Sequence, residues 1–388
     1  MSGHGAPRAL FHPFELAFCG RSGSGKTTLI ERLIARLADG RRVGYVKHDA
    51  HGFEMDRAGK DTWRARHAGA AALQIQSQDA WAAGLSGCAG PALARQLFAG
   101  CDLVLVEGYR RELALDKVLF VEGLADEAPH ERVVAAVTSS RALAGRPLPS
   151  ELAACLAGAP DGLPVFHRDD VEGLADWLLA RFQARLAARP LLGLVLAGGK
   201  SERMGRDKAL LEFGGEAQAV RAARLLEGCC AQVFISARAG QGREALGWPV
   251  LEDRFTGIGP MGGILSALEA RPEAAWLVLG CDLPFVTPRI LEALLEGRDP
   301  WRPASAFRDP DSGLPEPLCA VWEPRSGTDL LGALAAGMSC PRRVLGLGSA
   351  CLLDLPEPGA LANINRPEEL EAARVRWEAL RVETAAKR

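Results

Sequence analysis

The amino-acid sequence predicts an α/β protein of two domains, each built on a doubly wound, mostly parallel sheet. Short apolar runs alternate with segments whose apolar residues recur at helical spacing, which is typical of parallel sheets covered by helices. The pattern starts again after Pro190 without a low-complexity linker, and 388 residues suit two or three domains. We therefore place the two domains at residues 1–189 and 190–388.

In the first domain, apolar runs bounded by turn residues predict the strands, and a 3.6-residue period predicts the helices. Gly40 and Pro190 end two of these helices. The predicted strands are 14–19, 42–49, 71–76, 102–108, 117–123 and 132–138, and a further strand ends within 164–170. The predicted helices are 27–40, 91–100 and 171–189.

In the second domain the same two signals recur. Pro367 stands near the start of the last helix, where its missing N–H is not needed. The predicted strands are 191–199, 232–238 and 275–284. The predicted helices are 219–228, 262–270, 288–297 and 366–381.

The composition excludes several classes of protein. Hydrophobic residues make up 48% of the chain, charged residues 24%, and the net charge is −2, so there is no basic excess for nucleic acid or an anionic membrane. No apolar run reaches the roughly 18 residues of a membrane span, and the N-terminus lacks the features of a secretory signal. The ten cysteines include no CxxC pair, which argues against a zinc ribbon or a disulfide scaffold. We expect reduced thiols and a cytoplasmic protein.

Two residue types are scarce in an informative way, and a third is confined to one part of the chain. Only seven of the 46 basic residues are Lys, and the chain has only two Asn, Asn363 and Asn365. Lys is a compact, flexible point charge that the planar Arg does not replace everywhere, so the remaining Lys mark candidate sites. All seven His lie at or before His167, so the second domain has no His to act as a base or metal ligand.

The segment from Gly20 to Thr27 matches G-x4-G-K-[ST] completely, after a predicted strand and at the start of a predicted helix. Its glycines let backbone N–H groups surround a phosphate, and the helix N-terminus adds positive potential. Lys26 would reach the β- and γ-phosphates, and Thr27 would place its hydroxyl on Mg²⁺. The predicted nucleotide-binding residues are Gly20, Ser22, Gly23, Ser24, Gly25, Lys26, Thr27 and Thr28.

Two acidic residues are candidates to complete the magnesium shell at this turn. Asp49 follows the apolar run VGYVKH, and Glu107 ends DLVLVE, where the Walker B acid of such proteins lies. Either carboxylate could instead cap a turn. We favour a magnesium-proximal or switch role for both.

Four segments of the first domain resemble the GTP-binding molybdopterin-guanine dinucleotide biosynthesis adaptor family. They are KHDAHGFEMDRAGKDTWRARHAGA, DLVLVEGYR, Lys117 and PVFHRDDVEGLADWLL. The resemblance covers most of residues 14–185 and implies a P-loop NTPase sheet with weak GTPase activity that assists a partner guanylyltransferase. A homodimer through this domain is among its implications. It also places the polar stretch from Lys47 to Asp61 near nucleotide or pterin, the alternative being a solvated surface loop.

A second glycine turn follows the predicted strand 191–199, with Arg203 and Lys208 a short step further on. Gly198 and Gly199 let the backbone approach a base or phosphate closely, because neither has a Cβ. Arg203 and Lys208 can neutralise a triphosphate and the departing pyrophosphate. An ordinary strand-to-helix connection is the alternative, although it leaves the Lys residues in this turn of a Lys-poor domain without a reason.

Residues 196–208, LAGGKSERMGRDK, resemble the LxGGxSxRMGxDK motif of the molybdenum cofactor guanylyltransferases. That family belongs to the nucleotidyltransferases of Rossmann-like fold. Matching segments follow in the same order: Glu252-Asp253, 259–263, 281–284 and 363–369. The resemblance implies a catalytic set of Arg203, Lys208 and Asp282, with Asp282 as the magnesium ligand. It implies GTP-binding residues Leu196, Ala197, Gly198, Gly199, Lys208, Ser236, Asp253 and Asp282. Each Asp taken alone would be a helix or turn cap.

Asn363 and Asn365 are candidate pterin-binding residues, because alternation along a strand would put both amides on one face. An Asx turn before the last helix is the alternative. Ser236 stands where the family often carries Asn, so an amide contact to the nucleotide would become a hydroxyl contact. The related cytidylyltransferases tend to have Ala-Gly after the first strand, so the resemblance through the Gly198-Gly199 pair and the GPMGG segment favours GTP over CTP. Residues 314–320 resemble a substrate-side segment of the family.

Together the resemblances imply a fusion of the adaptor with the guanylyltransferase. GTP and molybdenum-molybdopterin would give the molybdopterin-guanine dinucleotide cofactor and pyrophosphate, with Mg²⁺ as cofactor. The implied protein partners donate molybdopterin or are molybdoenzymes that accept the product. The attacking phosphate is already ionised at neutral pH, which fits a domain without His. Two alternatives stay open: nucleotidyl transfer to another substrate, from CTP or to a sugar phosphate, and a GTP-switched molybdenum cofactor carrier.

Overall fold

The computed structural model describes residues 11–48, 56–70, 72–77, 81–85, 91–122, 130–158, 160, 162–198, 207–213, 215–310, 312–347, 350–364, 369 and 371–377. The chain divides into two compact units, residues 1–183 and 184–388. We call them the first and the second unit. The boundary predicted from the sequence, between 189 and 190, stays a prediction.

The first unit is a parallel sheet with helices between its strands. Its strands are β1 (Glu15–Cys19), β2 (Val43–Lys47), β3 (Ala72–Gln76), β4 (Trp81–Leu85), β5 (Leu103–Glu107), β6 (Lys117–Phe120), β7 (His130–Glu131), β8 (Val133–Thr138), β9 (Leu156–Ala157) and β10 (Val165–His167). Its helices are α1 (Lys26–Leu37), α2 (Asp61–His67), α3 (Pro91–Phe98), α4 (Ser150–Ala153) and α5 (Val171–Ala187), which begins in this unit.

Six of these strands form one sheet in the order β10-β8-β6-β1-β5-β2, and all of its pairings are parallel. The central strand β1 is buried along its whole length. Helix α1 buries a stripe of side chains at helical spacing, Leu29, Ile30, Leu33 and Leu37. The β3–β4 pair is a separate antiparallel hairpin. The predicted parallel sheet is therefore confirmed in this unit.

The second unit contains a seven-stranded sheet. The strands of the unit are β11 (Leu191–Leu196), β12 (Glu212–Phe213), β13 (Glu216–Ala217), β14 (Val233–Ala237), β15 (Val250–Glu252), β16 (Ala275–Gly280), β17 (Ala304–Arg308), β18 (Pro315–Trp322) and β19 (Cys351–Asp354). Strands β12 and β13 form a separate antiparallel pair. Its helices are α6 (Gln218–Glu227), α7 (Pro260–Ala270), α8 (Pro288–Glu296), α9 (Ser326–Ala335) and α10 (Pro341–Leu347).

The sheet order is β15-β14-β11-β16-β18-β17-β19. The first four strands are mutually parallel, whereas β18 runs antiparallel to both of its neighbours. Side chains of β16 alternate between two cores, Leu277 with the α6 and α8 side and Trp276 with the α7 and α9 side. The unit is therefore doubly wound and mostly parallel, as predicted. The sequence did not predict β18, because two prolines in its first three residues are a strand-breaking signal.

A buried ion cluster stabilises the β18 end of this unit. Glu323 has a fully buried side chain. It accepts hydrogen bonds from Arg298 Nε at 2.7 Å and from Arg189 Nη1 at 3.3 Å. Burial lowers the pKa of Arg189, and the neighbouring Glu323 opposes that shift. Both guanidinium groups therefore pair with the same buried carboxylate.

Glu323→Gln is expected to lower the free energy of unfolding of the second unit by about 3–5 kcal/mol, because breaking a buried pair leaves the remaining charge uncompensated. Hydrogen exchange of the β11 and β18 peptides in rising guanidinium would measure it. Glu269→Gln is the control, since Glu269 is half-exposed and pairs with the exposed Arg254. Equal unfolding of the wild type and Glu323→Gln would contradict the prediction.

Candidate functional sites

The first site is the glycine turn between β1 and α1. Gly20 has φ +155°, and a Cβ there would lie 2.7 Å from Phe120 Cβ, so a larger residue does not fit. Gly25 has φ +92°, a left-handed conformation that lets the chain enter α1. Ser22, Gly23 and Thr28 are exposed along the turn, so its outer face is open to a ligand.

The ammonium group of Lys26 lies over this turn. Its Nζ donates to the carbonyl of Arg21 at 2.6 Å and to Ser24 Oγ at 3.4 Å. Both acceptors are uncharged, so their hydrogen bonds to the ammonium group are weaker than those of a phosphate or carboxylate would be. The geometry leaves Lys26 able to exchange them for an anion that enters the turn.

Glu107, at the end of β5, is contacted by three side chains, two through hydrogen bonds and one through an ion pair. It is 7% exposed. Thr27 Oγ1 donates to its Oε1 and Oε2 at 2.9 and 3.1 Å, Tyr45 OH donates at 2.7 Å, and Lys47 Nζ lies 3.8 Å from Oε1. Burial, reinforced by Glu107, raises the pKa of Tyr45. The predicted pair Thr27 and Glu107 is thus brought together, whereas Asp49 lies outside the described residues.

Tyr109 stands beside the same strand end in a strained conformation. Its φ is +51°, which is uncommon for a residue with a Cβ. Its ring packs on His48 with centroids 4.9 Å apart and on Phe11 with centroids 5.2 Å apart. Burial raises the pKa of its hydroxyl. This aromatic contact holds the chain where it leaves β5.

The second site is a cavity of about 560 Å³ at the carboxyl ends of β11, β14 and β16. The sequence-predicted residues that line it are Leu196, Ala197, Gly198, Lys208, Ser236, Asp253 and Asp282. Helix α7 borders it through Gly259, Pro260 and Gly263. A Cβ at Gly263 would lie 2.7 Å from Leu196 Cδ2, so the glycine allows the helix to approach the strand.

Ser236 and Asp253 form one polar side of the cavity. Ser236 Oγ donates to Asp253 Oδ1 at 2.6 Å. Burial raises the pKa of Asp253, while the Ser236 hydrogen bond and the charge of Arg238 oppose that shift. A Cβ at Gly198 would lie 2.9 Å from Asp253 Oδ2, so the glycine turn passes close to this carboxylate. The Ser236 hydroxyl therefore positions Asp253 besides lining the cavity itself.

Lys208 and Asp282 form the charged side of the cavity. Lys208 Nζ lies 3.6 Å from Asp282 Oδ2, and the two side chains are 20% and 19% exposed. The adjacent thiol of Cys281 has its pKa raised to about 12, mainly by burial, so it stays protonated at neutral pH. An ammonium and a carboxylate of the described residues therefore border the cavity at this strand end.

Three predicted residues of the second site, Gly199, Arg203 and Asn365, lie outside the described residues. Asn363 is exposed in an irregular segment, so the prediction that a strand carries it is wrong. The chain makes turn hydrogen bonds just before it, from Ala362 N to Gly359 O at 3.0 Å. Ile364 N then donates to Asp282 O at 3.1 Å, which brings this segment beside Asp282 without strand pairing.

Two charged residues next to the second site were not singled out by the sequence analysis. Arg243 is 3% exposed, and its Nη2 donates to Ala197 O at 3.1 Å and to Asp207 Oδ2 at 2.5 Å. Glu316, in the segment predicted to be substrate-side, binds Arg342 Nη2 at 2.6 Å, and burial raises its pKa. No motif in the sequence singles out Arg243 among the many Arg. The contacts of Arg243 and Glu316 join residues that are far apart in the sequence, so no local pattern indicates them.

Two observations concern the whole of the described chain. Among the described residues, no cluster of three or more His, Cys, Asp or Glu side chains is arranged to bind a metal ion. No helix formed by these same residues has the length and apolar character to cross a membrane.

The fold and the two sites define a chain of two nucleotide-binding α/β units, the first with a P-loop-like sheet. Residues 15–139 match the family described as Molybdopterin guanine dinucleotide synthesis protein B. Residues 193–349 match the family described as MobA-like NTP transferase domain. Both matches fall where the sequence resemblances were found.

Named relatives agree with the two families. The molybdopterin-guanine dinucleotide biosynthesis adapter protein of Escherichia coli K12 is 36% identical over 177 residues, 43% of this chain and 93% of that protein. A molybdenum cofactor guanylyltransferase of Cereibacter sphaeroides is 35% identical over 192 residues, 47% of this chain and 95% of that protein. The chain therefore belongs to both families.

A molybdenum cofactor biosynthesis bifunctional protein of a Synechocystis species is 37% identical over 189 residues, 48% of this chain. The matched region covers 54% of that protein, so the chain spans about half the length of this relative.

Lys26→Ala is expected to weaken nucleotide binding at the first site about 10- to 150-fold, because a charge-assisted contact to phosphate is lost. Titrating labelled GTP into the full chain would resolve the two sites, and the second should be unchanged. Arg146→Ala is the control. It removes an exposed charge beside Gly145, whose N–H donates to the carbonyl of Val165 in β10, an edge strand that β8 and β6 separate from β1. Two nucleotides bound to Lys26→Ala with wild-type affinity would refute the P-loop assignment.

Proposed function

We propose that this chain transfers the guanylyl group of GTP to the terminal phosphate of molybdenum-molybdopterin. The products are the molybdopterin-guanine dinucleotide cofactor and pyrophosphate. The observation that carries the proposal is the pairing of Lys208 with Asp282 in the cavity that also contains the glycine turn. In a chain of the guanylyltransferase family, a cation and a carboxylate in this cavity support the binding of a nucleoside triphosphate there.

The donor nucleotide occupies the cavity of about 560 Å³, with its base toward Ser236 and Asp253 and its phosphates toward Lys208. Leu196, Ala197 and Gly198 approach the nucleotide through their backbone. A carboxylate fixed by Ser236 is an acceptor that suits the N–H donors of a guanine edge. Ser236 and Asp253 thus recognise the base, and Lys208 neutralises the phosphate charge, on two sides of one cavity.

The transfer is an in-line attack of the pterin phosphate on the α-phosphate of GTP. The new P–O bond forms as the bond to pyrophosphate breaks, and the nucleophile is already ionised, so no general base is needed. Lys208 stabilises the negative charge that develops on the phosphates and on pyrophosphate. We propose the same role for Arg203. Since the seven His all precede the second unit, this chemistry suits its residues.

The oxygen donors at both sites fit magnesium, which typically takes one or two carboxylates and completes its shell with substrate phosphates and water. Asp282 would hold it in the second unit, and Thr27 with Glu107 in the first, where we propose Asp49 as a further ligand. The ion neutralises phosphate charge when it is bound.

We propose that the first unit binds GTP through the turn from Gly20 to Thr28 and acts as the adaptor, with weak GTPase activity and a homodimer contact of its own. Tethering it to the transferase raises the effective concentration of each to about millimolar. The further partners are proteins that deliver molybdopterin or receive the finished cofactor, and we place Asn363 and Asn365 on the pterin side of the second site.

The decisive experiment incubates the full chain with Mg²⁺, molybdopterin and either GTP or CTP, followed by mass spectrometry of the pterin and measurement of pyrophosphate. A guanylyl adduct from GTP alone is expected. A cytidylyl adduct would make the chain a cytidylyltransferase. Tight pterin binding without pyrophosphate would make it a GTP-switched carrier.

Asp282→Ala is expected to reduce product formation at least about 100-fold while the protein stays folded, because the carboxylate that anchors charge stabilisation is removed. Turnover per folded molecule is the measurement. Asp354→Ala is the control, since Asp354 is exposed at the same end of an edge strand. Near-normal turnover by a folded Asp282→Ala protein would exclude the assigned role.

Ser236→Ala is expected to move the acid limb of the pH–rate profile to higher pH. The hydrogen bond from Ser236 stabilises ionised Asp253, so its loss raises the Asp253 pKa further. Activity therefore falls at acid pH and is retained on the alkaline side. The measurement is kcat/KM for GTP between about pH 5 and 9. Ser305→Ala, at a buried serine of β17, serves as control, and an unmoved acid limb in Ser236→Ala would argue against the assignment.

A further inference from the structure

A buried arginine links the two ends of the second glycine turn. Arg243 begins a short 3-10 helix, Arg243–Leu246, in the connection between β14 and β15. Its side chain is 3% exposed. A single nitrogen, Nη2, donates to Ala197 O at 3.1 Å and to Asp207 Oδ2 at 2.5 Å. Ala197 begins the turn after β11, and Asp207 precedes Lys208, so one guanidinium fixes both ends of this segment.

Asp207 carries this restraint to Lys208. While its Oδ2 binds Arg243, its Oδ1 accepts Ala209 N at 3.1 Å and caps the 3-10 helix Lys208–Leu210. Lys208 is the first residue of that helix, and its Nζ lies 3.6 Å from Asp282 Oδ2. A continuous set of contacts therefore runs from Arg243 through Asp207 to the charged side of the cavity.

The cost of burying this guanidinium indicates a role beyond packing. Its Nε has no hydrogen-bond partner within the described part of the chain. Its ion-pair partner, Asp207, is 38% exposed, so the pair is only half removed from solvent. An apolar side chain of similar volume would fill the same space without burying a charge. What it would not do is fix the ends of the turn and the position of Lys208.

We propose that Arg243 is a positioning residue for guanylyl transfer, which acts on the phosphates through Asp207 and Lys208. This inference rests on the proposed function of the second site. Lys208 stabilises charge that appears as the bond to pyrophosphate breaks, so a displaced Lys208 lowers kcat more than it weakens binding. Arg243 itself does not touch the substrate.

The test compares Arg243→Met, Arg243→Lys, Asp207→Asn and the Arg243→Met/Asp207→Asn double variant of the full chain. Arg243→Met is expected to lower kcat about 10- to 100-fold, with the KM for GTP rising a few-fold at most. Arg243→Lys restores most of kcat, because an ammonium can bind one or both acceptors. The kcat of the double variant is expected to be no lower than that of the slower single variant, because both substitutions break the same contact between Arg243 and Asp207.

Asp207 is partly exposed, so Asp207→Asn is expected to leave the core intact. If Arg243→Met does not fold, Asp207→Asn alone still tests the role of the contact. Arg224→Met is the control, because Arg224 is 66% exposed and pairs with Glu216. A second readout, hydrogen exchange of the 207–213 peptide without nucleotide, is expected to rise in Arg243→Met and Asp207→Asn only.

Unchanged kcat and exchange in folded Arg243→Met, or multiplying losses in the double variant, would overturn the role of Arg243. A wild type that forms no guanylyl adduct refutes the proposed function instead, and the exchange measurement then still decides whether Arg243 positions the turn.

Discussion

Parallel strand pairing is the constraint on which both sites depend. In the second unit, Leu196 at the end of β11 lies opposite Ser236 on one side and Gly280 on the other. The glycine turn, the Ser236–Asp253 pair and Asp282 therefore meet at one edge without further arrangement. In the first unit, Glu107 lies opposite both Phe18 and Lys47, which brings its carboxylate to the turn that follows β1. A shift of register in either sheet would separate these groups.

Burial and backbone hydrogen bonds distinguish two of the scarce lysines, Lys117 and Lys208. Lys117 is 1% exposed, its Nζ donates to the carbonyls of Glu112 and Glu131 at 2.7 and 3.1 Å, and burial lowers its pKa. It is satisfied inside the fold, although it belongs to a segment that resembles the adaptor family. Lys208 is 20% exposed and borders a cavity. Scarcity of Lys in the sequence marked both positions, but only the structure separates their roles.

The glycine turns and the strand-end acids were predictable, because each depends on a local sequence and on the rule that strand ends hold ligands. Arg243 was not, since it approaches Ala197 and Asp207 from 46 and 36 residues away. The strand β18 was missed because its prolines mask the pattern, although both lie in its first three residues and outside the part, Cys319–Trp322, that pairs with β16. Asn363 was assigned to a strand from alternation alone, whereas local turns and a backbone bond to Asp282 decide its conformation.

The distribution of tyrosine gives the molecule an intrinsic probe. The chain contains two Tyr, Tyr45 and Tyr109, and both lie at the β2 and β5 ends beside Glu107. One donates a hydrogen bond to the carboxylate that also binds Thr27, and the other packs on His48. Isotope-labelled tyrosine would therefore give two resonances that belong to the first unit alone. Spectra of the intact chain would follow that nucleotide site while the second turns over, with no added fluorophore and no dissection of the chain.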